Sequence, residues 1–167
     1  MINFPTTVSN SKIDVLYLDS RYPARLGLHP GIDINGVNGG DTDLGMPFRA
    51  ITDGEVVYAV DTAPTGTWGG LIVVHHPQLG IWSRYGHHNP GSRRVKVGDK
   101  VTAGTTLAGI GKGKNNAFAA HLHFDIFTLR PSSWTYWVMS NINDVVRFFV
   151  DPIAFFRINK VQIPSIF

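Results

Sequence analysis

Between residues 30 and 130, short runs of β-branched and aromatic residues are separated by Gly, Pro and Asn, and the apolar residues show no helical periodicity. Segments of this kind are typical of strands joined by tight turns. The pattern predicts a mainly β fold with a compact antiparallel core, either a barrel or a sandwich. The predicted strands are residues 49–58, 70–75, 81–86, 100–110 with a central turn, and 121–128.

The pattern changes after Pro131, where large apolar residues recur at steps of three and four. This spacing predicts an amphipathic helix over residues 133–149. Its polar face carries a single positive charge, so we expect the helix to pack on the β core and not on a membrane surface. Phe155 and Phe156 are predicted to hold the tail against the core in the same way. The predicted apolar stripe comprises Trp134, Trp137, Val138, Ile142, Val145, Val146 and Phe149.

The length of 167 residues is typical of one domain, so we expect residues 1–167 to fold as a single unit, and we predict a monomer. An apolar fraction of 43% with 16% charged residues excludes general disorder. No apolar run reaches the roughly 18 residues that a membrane helix needs, so stable membrane insertion is not predicted. The amino terminus, MINFPTTVSNSK, lacks the layout of a signal peptide.

Charge and cysteine content limit the partners and the metal chemistry. The net charge is +3, and the one basic cluster, residues 93–96, is interpreted as a solvated turn, so nucleic acid is not a predicted partner. The chain has no cysteine, which excludes disulfides, thiolate metal sites and a cysteine nucleophile. Any metal must therefore be bound by histidines and carboxylates.

Two of the seven histidines lie in the segment His121-Leu122-His123-Phe124-Asp125. Side chains alternate along a strand, so His121, His123 and Asp125 should project from one face, opposite the apolar residues between them. Two imidazoles would then lie side by side on a rigid element. A His-x-His pair arises easily by chance, and the interpretation needs support from elsewhere in the chain.

A second cluster, His29-Pro30-Gly31-Ile32-Asp33, supplies that support. The Pro-Gly pair excludes a helix and favours an extended or turned segment in which His29 and Asp33 can converge. With one histidine of the HLH strand they would form a His2Asp site. Three nitrogen and oxygen ligands with one open position are what a catalytic zinc uses. The two segments are therefore candidates for a site that holds one Zn²⁺ per chain.

The chain contains, in order, HPGID, DLGMPFRAITDGEVVYA, GGLIVVHH, RYGHH, VKVGDKVTAGTTLAGIG and HLHFDI. Over about residues 28–128 this order resembles the core of the lysostaphin-type zinc metallo-endopeptidases, which cut peptidoglycan peptides. Asp151-Pro152 resembles the pair that often closes that core. The resemblance implies the barrel-like antiparallel sheet of that family, the duplicated hybrid motif, with residues 131–167 as a helical C-terminal extension.

The resemblance also implies a role for each site residue. His29 and Asp33 match the first two zinc ligands, and His123 matches the third. His87 and His121 match two catalytic histidines. Zinc-activated water is then expected to attack the scissile carbonyl, with one histidine accepting the water proton and both stabilising the oxyanion.

Some segments depart from the family pattern. Residues 114–120 read KNNAFAA in place of the usual Gly-rich sequence, and Asp125 replaces the commoner Glu as the carboxylate expected to orient a ligand. The loop 35–43 and the helix 133–149 look like insertions that set specificity. We expect the loop to be mobile, because it is Gly-rich and has no apolar anchor.

The remaining polar candidates have simpler interpretations. Tyr85 has two, as a core aromatic or as a hydroxyl donor to the oxyanion. The others are His75, His76 and His88, predicted to be structural, and Asp41 and Asp43, predicted to be solvated and not metal-bound.

The predicted function is hydrolysis of peptide cross-links in peptidoglycan, and three alternatives are kept. A histidine phosphocarrier on a related fold shares the His-x-Gly-Ile-Asp segment but gives no reason for HLH. A lipoyl-type carrier needs a lysine at a hairpin tip, and none lies clearly in one. A non-catalytic wall-binding or regulatory relative would have lost ligands, whereas all five site positions are occupied here.

The expected place of action is the periplasmic or extracellular face of the bacterial cell wall. The absence of a recognisable signal peptide favours a bacteriophage lysin released from the host cytoplasm by another protein, or a virion component. A stem cross-link through diaminopimelate is favoured over a glycyl bridge as the bond cleaved.

Overall fold

The computed structural model describes all 167 residues and has eleven strands and two α-helices. Three short 3-10 helices lie at Val8–Asn10, Ala24–Leu26 and Lys114–Asn116. The strands are β1 (Ser11–Val15), β2 (Ile32–Gly36), β3 (Pro47–Arg49), β4 (Gly54–Val60), β5 (Gly70–His76), β6 (Ile81–His88), β7 (Lys100–Val101), β8 (Thr106–Gly109), β9 (Leu122–Phe127), β10 (Phe149–Val150) and β11 (Ser165–Ile166). The helices are α1 (Ile142–Phe148) and α2 (Pro152–Ile158).

Nine strands form one sheet in the order β11-β1-β2-β9-β6-β5-β4-β7, and β10 pairs with β9 beside this path. All pairs are antiparallel except β1 with β11. Strands β3 and β8 form a separate two-stranded sheet. The prediction of a mainly β, antiparallel fold is therefore confirmed.

Each predicted strand overlaps an observed strand, but two of the predictions combine two elements. The predicted strand 49–58 spans the end of β3 at Arg49 and the start of β4 at Gly54, which pair in different sheets. Residues 100–110 contain β7 and β8 around a turn, as predicted.

One face of the central strands packs in the core, and the other face carries the candidate site residues. Ile32 and Ile34 of β2, and Leu122, Phe124 and Ile126 of β9, are buried in the main core cluster. The side chains between them point to the opposite face, because strand residues alternate. That opposite face carries Asp33, His123 and Asp125, and the register places Asp33 directly opposite His123. The candidate site therefore rests on the most central strands of the sheet.

The predicted helix over 133–149 is wrong for its first half. Only Ile142–Phe148 is α-helical, and Phe149 begins β10. The carbonyls of Trp134 and Tyr136 each accept a hydrogen bond of 2.8 Å from Arg84 Nη1, so they are not available for helical bonding. The segment instead lies as an irregular strip across the sheet.

The apolar stripe was predicted from a single continuous helix, and it is buried only in part. Val138, Val145 and Phe149 are buried together with Phe127. Ile142 and Val146 are 54% and 59% exposed, against the prediction. Both exposed residues belong to α1, so α1 packs on the core along a narrower edge, at Val145, than the periodicity predicted.

The tail is attached by α2. The Asp151 carboxylate caps this helix by accepting the Ile153 N–H at 2.9 Å. Phe156 is fully buried in the main core, and Phe155 packs against it half-buried, as predicted. No helix of the protein is long and apolar enough to span a bilayer.

Candidate metal centre and active site

Three side chains of ligand type converge beside β2 and β9. His29 Nε2 lies 3.1 Å from Asp33 Oδ1 and 3.1 Å from His123 Nδ1. His123 Nδ1 lies 2.9 Å from Asp33 Oδ1, and all three residues are buried. The two elements identified separately in the sequence thus meet in one cluster that could hold a metal ion.

The turn before β2 brings His29 into this cluster. Gly31 lies so close to β9 that a Cβ atom at its position would be 2.3 Å from the Phe124 carbonyl oxygen. A contact this short is not possible for any other residue, so glycine is required for the close approach. The Pro-Gly pair therefore fixes the path that places the His29 ring 4.9 Å from the His123 ring.

The second nitrogen of each ligand histidine has its own partner. His29 Nδ1 lies 2.9 Å from the Leu16 carbonyl oxygen, and His123 Nε2 lies 2.9 Å from Asp125 Oδ2. Both partners can only accept, so these nitrogens carry the protons and donate them. His29 Nε2 and His123 Nδ1 are then left with lone pairs directed at the Asp33 carboxylate.

Three acceptors facing one another at this distance repel unless a cation lies between them. Zinc bonds to nitrogen and oxygen of about 2.0–2.1 Å place tetrahedral ligand atoms about 3.3 Å apart, close to the observed spacing. Burial opposes ionisation of Asp33, but the surrounding histidines outweigh it and hold its pKa well below the usual range. The donor set therefore fits zinc.

His87 and His121 lie beside this cluster with their rings 4.7 Å apart. His87 Nδ1 donates to the Trp68 carbonyl at 2.8 Å, and His121 Nδ1 donates to the Ala119 carbonyl at 2.9 Å. Each ring therefore keeps an Nε2 lone pair. His121 Nε2 is 3.8 Å from Asp33 Oδ1. The structure thus brings all five predicted site residues together.

His87 is held in an unusual backbone conformation. Its φ of 70° lies in the left-handed region, which a non-glycine residue adopts only at a cost. Burial, followed by the nearby His121 and His123, holds the pKa of His87 well below its usual range, so the ring is neutral at neutral pH. The adjacent His88 points elsewhere and hydrogen-bonds the Val60 carbonyl at 2.9 Å, in agreement with a structural interpretation.

A cleft with a volume of about 470 Å³ is lined by four of the five residues, Asp33, His87, His121 and His123. Four aromatic residues lie in its walls, and its only ionisable groups besides tyrosine are the site residues themselves. Trp137 is fixed in one wall because its indole N–H donates to the Leu26 carbonyl at 2.6 Å. The other aromatic wall residues are Tyr22, Trp68 and Phe118.

Sequence reasoning missed the wall aromatics and the buried Arg84. Arg84 lies opposite Asp125 in the β6–β9 register, and its Nε donates to that carboxylate at 3.1 Å. A single arginine within the otherwise uncharged strand β6 was the available signal. Asp125 itself lies behind His123, in the orienting position that was predicted for it.

The other polar candidates lie outside the site. Tyr85 is a core aromatic, and its hydroxyl accepts the Ile51 N–H at 3.1 Å on the opposite face of β6. His76 is buried and hydrogen-bonded to Ser83 at 2.7 Å. His75 stacks on Trp82. The oxyanion interpretation of Tyr85 is therefore wrong.

The loop 35–43 has polar anchors that its sequence did not reveal. Asp41 accepts the Ala120 N–H at 2.9 Å and pairs with Lys112 at 2.6 Å. Asp43 is only 2% exposed, and both its carboxylate oxygens lack a hydrogen-bond partner. Burial raises the pKa of Asp43 to about 6. The prediction that Asp43 is solvated is wrong, because the loop folds back over it.

Comparison with known proteins agrees with this geometry. Residues 27–133 match the family described as Peptidase family M23. Endolysin 2638A of Staphylococcus phage 2638A is 37% identical over 84 residues, which are 49% of this chain and 16% of the endolysin. The matched segment therefore spans about a sixth of that relative.

The fold is shared with solved peptidases. The solution structure of lysostaphin matches 96% of this chain and 56% of its own, with a TM-score of 0.69 and 22% identity. The catalytic domain of lysostaphin from Staphylococcus simulans, described as an antimicrobial peptidase, gives a TM-score of 0.67 and 26% identity over 90% of this chain and 95% of its own. A zinc containing peptidase from Vibrio cholerae gives a TM-score of 0.57 and 23% identity over 75% of this chain and 36% of its own.

Proposed function

The chain belongs to peptidase family M23, and we propose that it is a zinc-dependent endopeptidase that hydrolyses peptide cross-links of bacterial peptidoglycan. The observation that carries this proposal is the buried His29, Asp33 and His123 cluster, open to a cleft that also holds His87 and His121. Similarity to a phage endolysin and to an antimicrobial peptidase supports a bacterial cell-wall substrate. Membership of a peptidase family favours hydrolysis over the two carrier functions.

We assign the metal to His29, Asp33 and His123. Zinc bound there would supply Lewis-acid chemistry, lowering the pKa of water to about 7 and polarising a carbonyl. The chain contributes the orientation of the ligands. The Leu16 carbonyl and the Asp125 carboxylate hold the protons of the two histidines away from the site.

His87 and His121 are assigned to proton transfer. Their Nδ1 protons are donated to backbone carbonyls, so each Nε2 can accept a proton from an attacking water. The resulting imidazolium can stabilise negative charge on the scissile carbonyl oxygen and return its proton to the leaving amine. His121 is favoured as the base because its Nε2 is the nearer one to Asp33.

The cleft supports a peptide substrate bound in an extended form. Aromatic walls exclude water around the reacting groups and contact apolar and backbone atoms. We further propose that the enzyme acts on the bacterial cell wall, at its periplasmic or extracellular face, as a phage lysin or virion component, and that it acts as a monomer. Residues 1–167 are proposed to form one catalytic domain.

Digestion of purified peptidoglycan tests this function. Walls cross-linked directly through diaminopimelate and walls with glycyl bridges are incubated with the zinc-loaded protein, and the new termini are identified by mass spectrometry. New amino termini at a cross-link, absent with His123→Ala, are expected. Zinc-loaded protein that releases no new terminus from either wall type would refute the proposal.

A further inference from the structure

Arg84 is fully buried in the centre of the sheet, and the mechanism above does not use it. Its guanidinium carbon lies 4.3 Å from the ring centroid of Trp68 and 4.6 Å from that of Phe127. A charge removed from water in this way is tolerated only when its hydrogen-bonding groups have partners. The partners of Arg84 therefore show what it holds in place.

One side of the guanidinium binds the carboxylate that orients a metal ligand. Arg84 Nε lies 3.1 Å from both oxygens of Asp125, and Nη2 lies 2.5 Å from Oδ2. The same Oδ2 accepts the His123 Nε2 proton at 2.9 Å. Arg84 thus fixes the carboxylate that keeps His123 Nδ1 unprotonated and directed at the metal site.

The other side of the guanidinium binds the wall of the cleft. Arg84 Nη1 donates at 2.8 Å to the carbonyls of Trp134 and Tyr136. Tyr136 directly precedes Trp137, whose ring lies 5.4 Å from the His123 ring and lines the cleft. Residues 133–138 form no α-helix, and one turn holds them internally, in which the Tyr136 N–H donates to the Ser133 carbonyl at 3.0 Å. Arg84 is therefore one of the main attachments of this segment.

We propose that Arg84 is a positioning residue that couples the Trp137 wall of the cleft to the metal ligand His123. The proposal rests on the proposed function, since it takes His123 as a zinc ligand and the cleft as the peptide site. The coupling is possible because one planar guanidinium binds Asp125 through Nε and Nη2 and the two wall carbonyls through Nη1. A lysine carries a single nitrogen and cannot reproduce the fork.

Three variants separate the contact of Arg84 with Asp125 from its contacts with the wall carbonyls. Arg84→Met removes all of these contacts. Arg84→Lys keeps a positive charge for Asp125 but cannot also hold both wall carbonyls. Tyr85→Phe is the matched control, because it alters the next residue of β6 and a buried hydrogen bond on the opposite face of the strand.

Zinc affinity is measured by competition with a chromogenic chelator, and kcat and KM are measured on a soluble cross-linked muropeptide. We expect Arg84→Met to bind zinc about 10- to 100-fold more weakly, the usual effect of losing the group behind a metal ligand. We expect Arg84→Lys to bind zinc nearly as wild type does but to show a raised KM and faster hydrogen exchange in residues 134–138. Tyr85→Phe should change only the melting temperature.

Wild-type zinc affinity in a cooperatively folded Arg84→Met protein would overturn the inference while leaving the proposed function intact. If Arg84→Met does not fold, Arg84→Lys decides, and unchanged KM and exchange in that variant would overturn the coupling. A wild-type protein that binds no zinc would overturn the proposed function, and this inference with it.

Discussion

Deletion of residues 131–167 is expected to unfold the protein, although the family match ends at residue 133. This segment supplies five buried apolar side chains, and each typically costs 2–5 kcal/mol when cut to Ala, so their combined loss is roughly 10–25 kcal/mol. A domain of this size is stable by only about 5–15 kcal/mol. The five residues are Val138, Val145, Phe149, Ile153 and Phe156. Arg84 would also lose both its carbonyl partners.

The assay is thermal unfolding followed by circular dichroism, for the full chain and for the fragment 1–130. The full chain should melt cooperatively, whereas the fragment should be insoluble or should melt without a cooperative transition. A soluble fragment 1–130 that melts cooperatively and cleaves peptidoglycan would refute this reasoning.

Two neighbouring valines of α1 provide a matched control. Val145 is fully buried, whereas Val146 is 59% exposed. Val145→Ala should cost about 2 kcal/mol, which lowers the melting temperature by about 4–8 °C in a domain of this size. Val146→Ala should change the stability by no more than about 0.5 kcal/mol. Equal shifts in the two variants would contradict the described packing of α1.

Three further predictions concern the site and its loop. His87→Ala and His121→Ala should keep bound zinc and lose about 10²-fold or more in turnover, whereas His88→Ala should stay active; the reverse result for His87 and His88 would show that the wrong histidine is assigned. The pKa of Asp43 is about 6 in the folded protein, above the ordinary value of about 4 that applies to the unfolded chain. The folded protein therefore binds the Asp43 proton more tightly than the unfolded chain does, and the stability that this proton contributes is lost as pH rises from about 4 to about 6. Asp43→Asn should therefore raise the melting temperature relative to wild type at pH 8 but not at pH 4, and an equal effect at both would be contrary evidence. A chelator should lower the melting temperature, since a metal present at 1,000 times its Kd stabilises the fold by about 4 kcal/mol, and no shift would indicate that the metal does not contribute to folding.

The clustering of the site could be predicted because it depends on local rules. Alternation along β9 places His123 and Asp125 on one face, and the Pro-Gly turn brings His29 and Asp33 together. Both rules act within a few residues. The sequence alone could not show that Asp33 and His123 would be directly opposite each other, because strand register depends on the pairing of distant segments.

The failures of the sequence-based predictions also have a physical cause. The periodicity of residues 133–149 is that of a helix, but Arg84 lies about fifty residues earlier and binds the carbonyls of Trp134 and Tyr136. The burial of Asp43 likewise depends on the return path of its loop. Contacts between distant segments overrode local propensity in both cases. The aromatic cleft wall was missed for the same reason, since Trp68 and Trp137 meet only in the folded chain.

The content of bound zinc in purified wild type and in His123→Ala tests the central claim most directly. His29, Asp33 and His123 are proposed as the only protein ligands, so elemental analysis should find about one zinc per wild-type chain and almost none in the folded variant. His88→Ala, which removes a neighbouring histidine outside the cluster, should retain the wild-type content. Undiminished zinc in a folded His123→Ala protein would contradict the proposed metal centre.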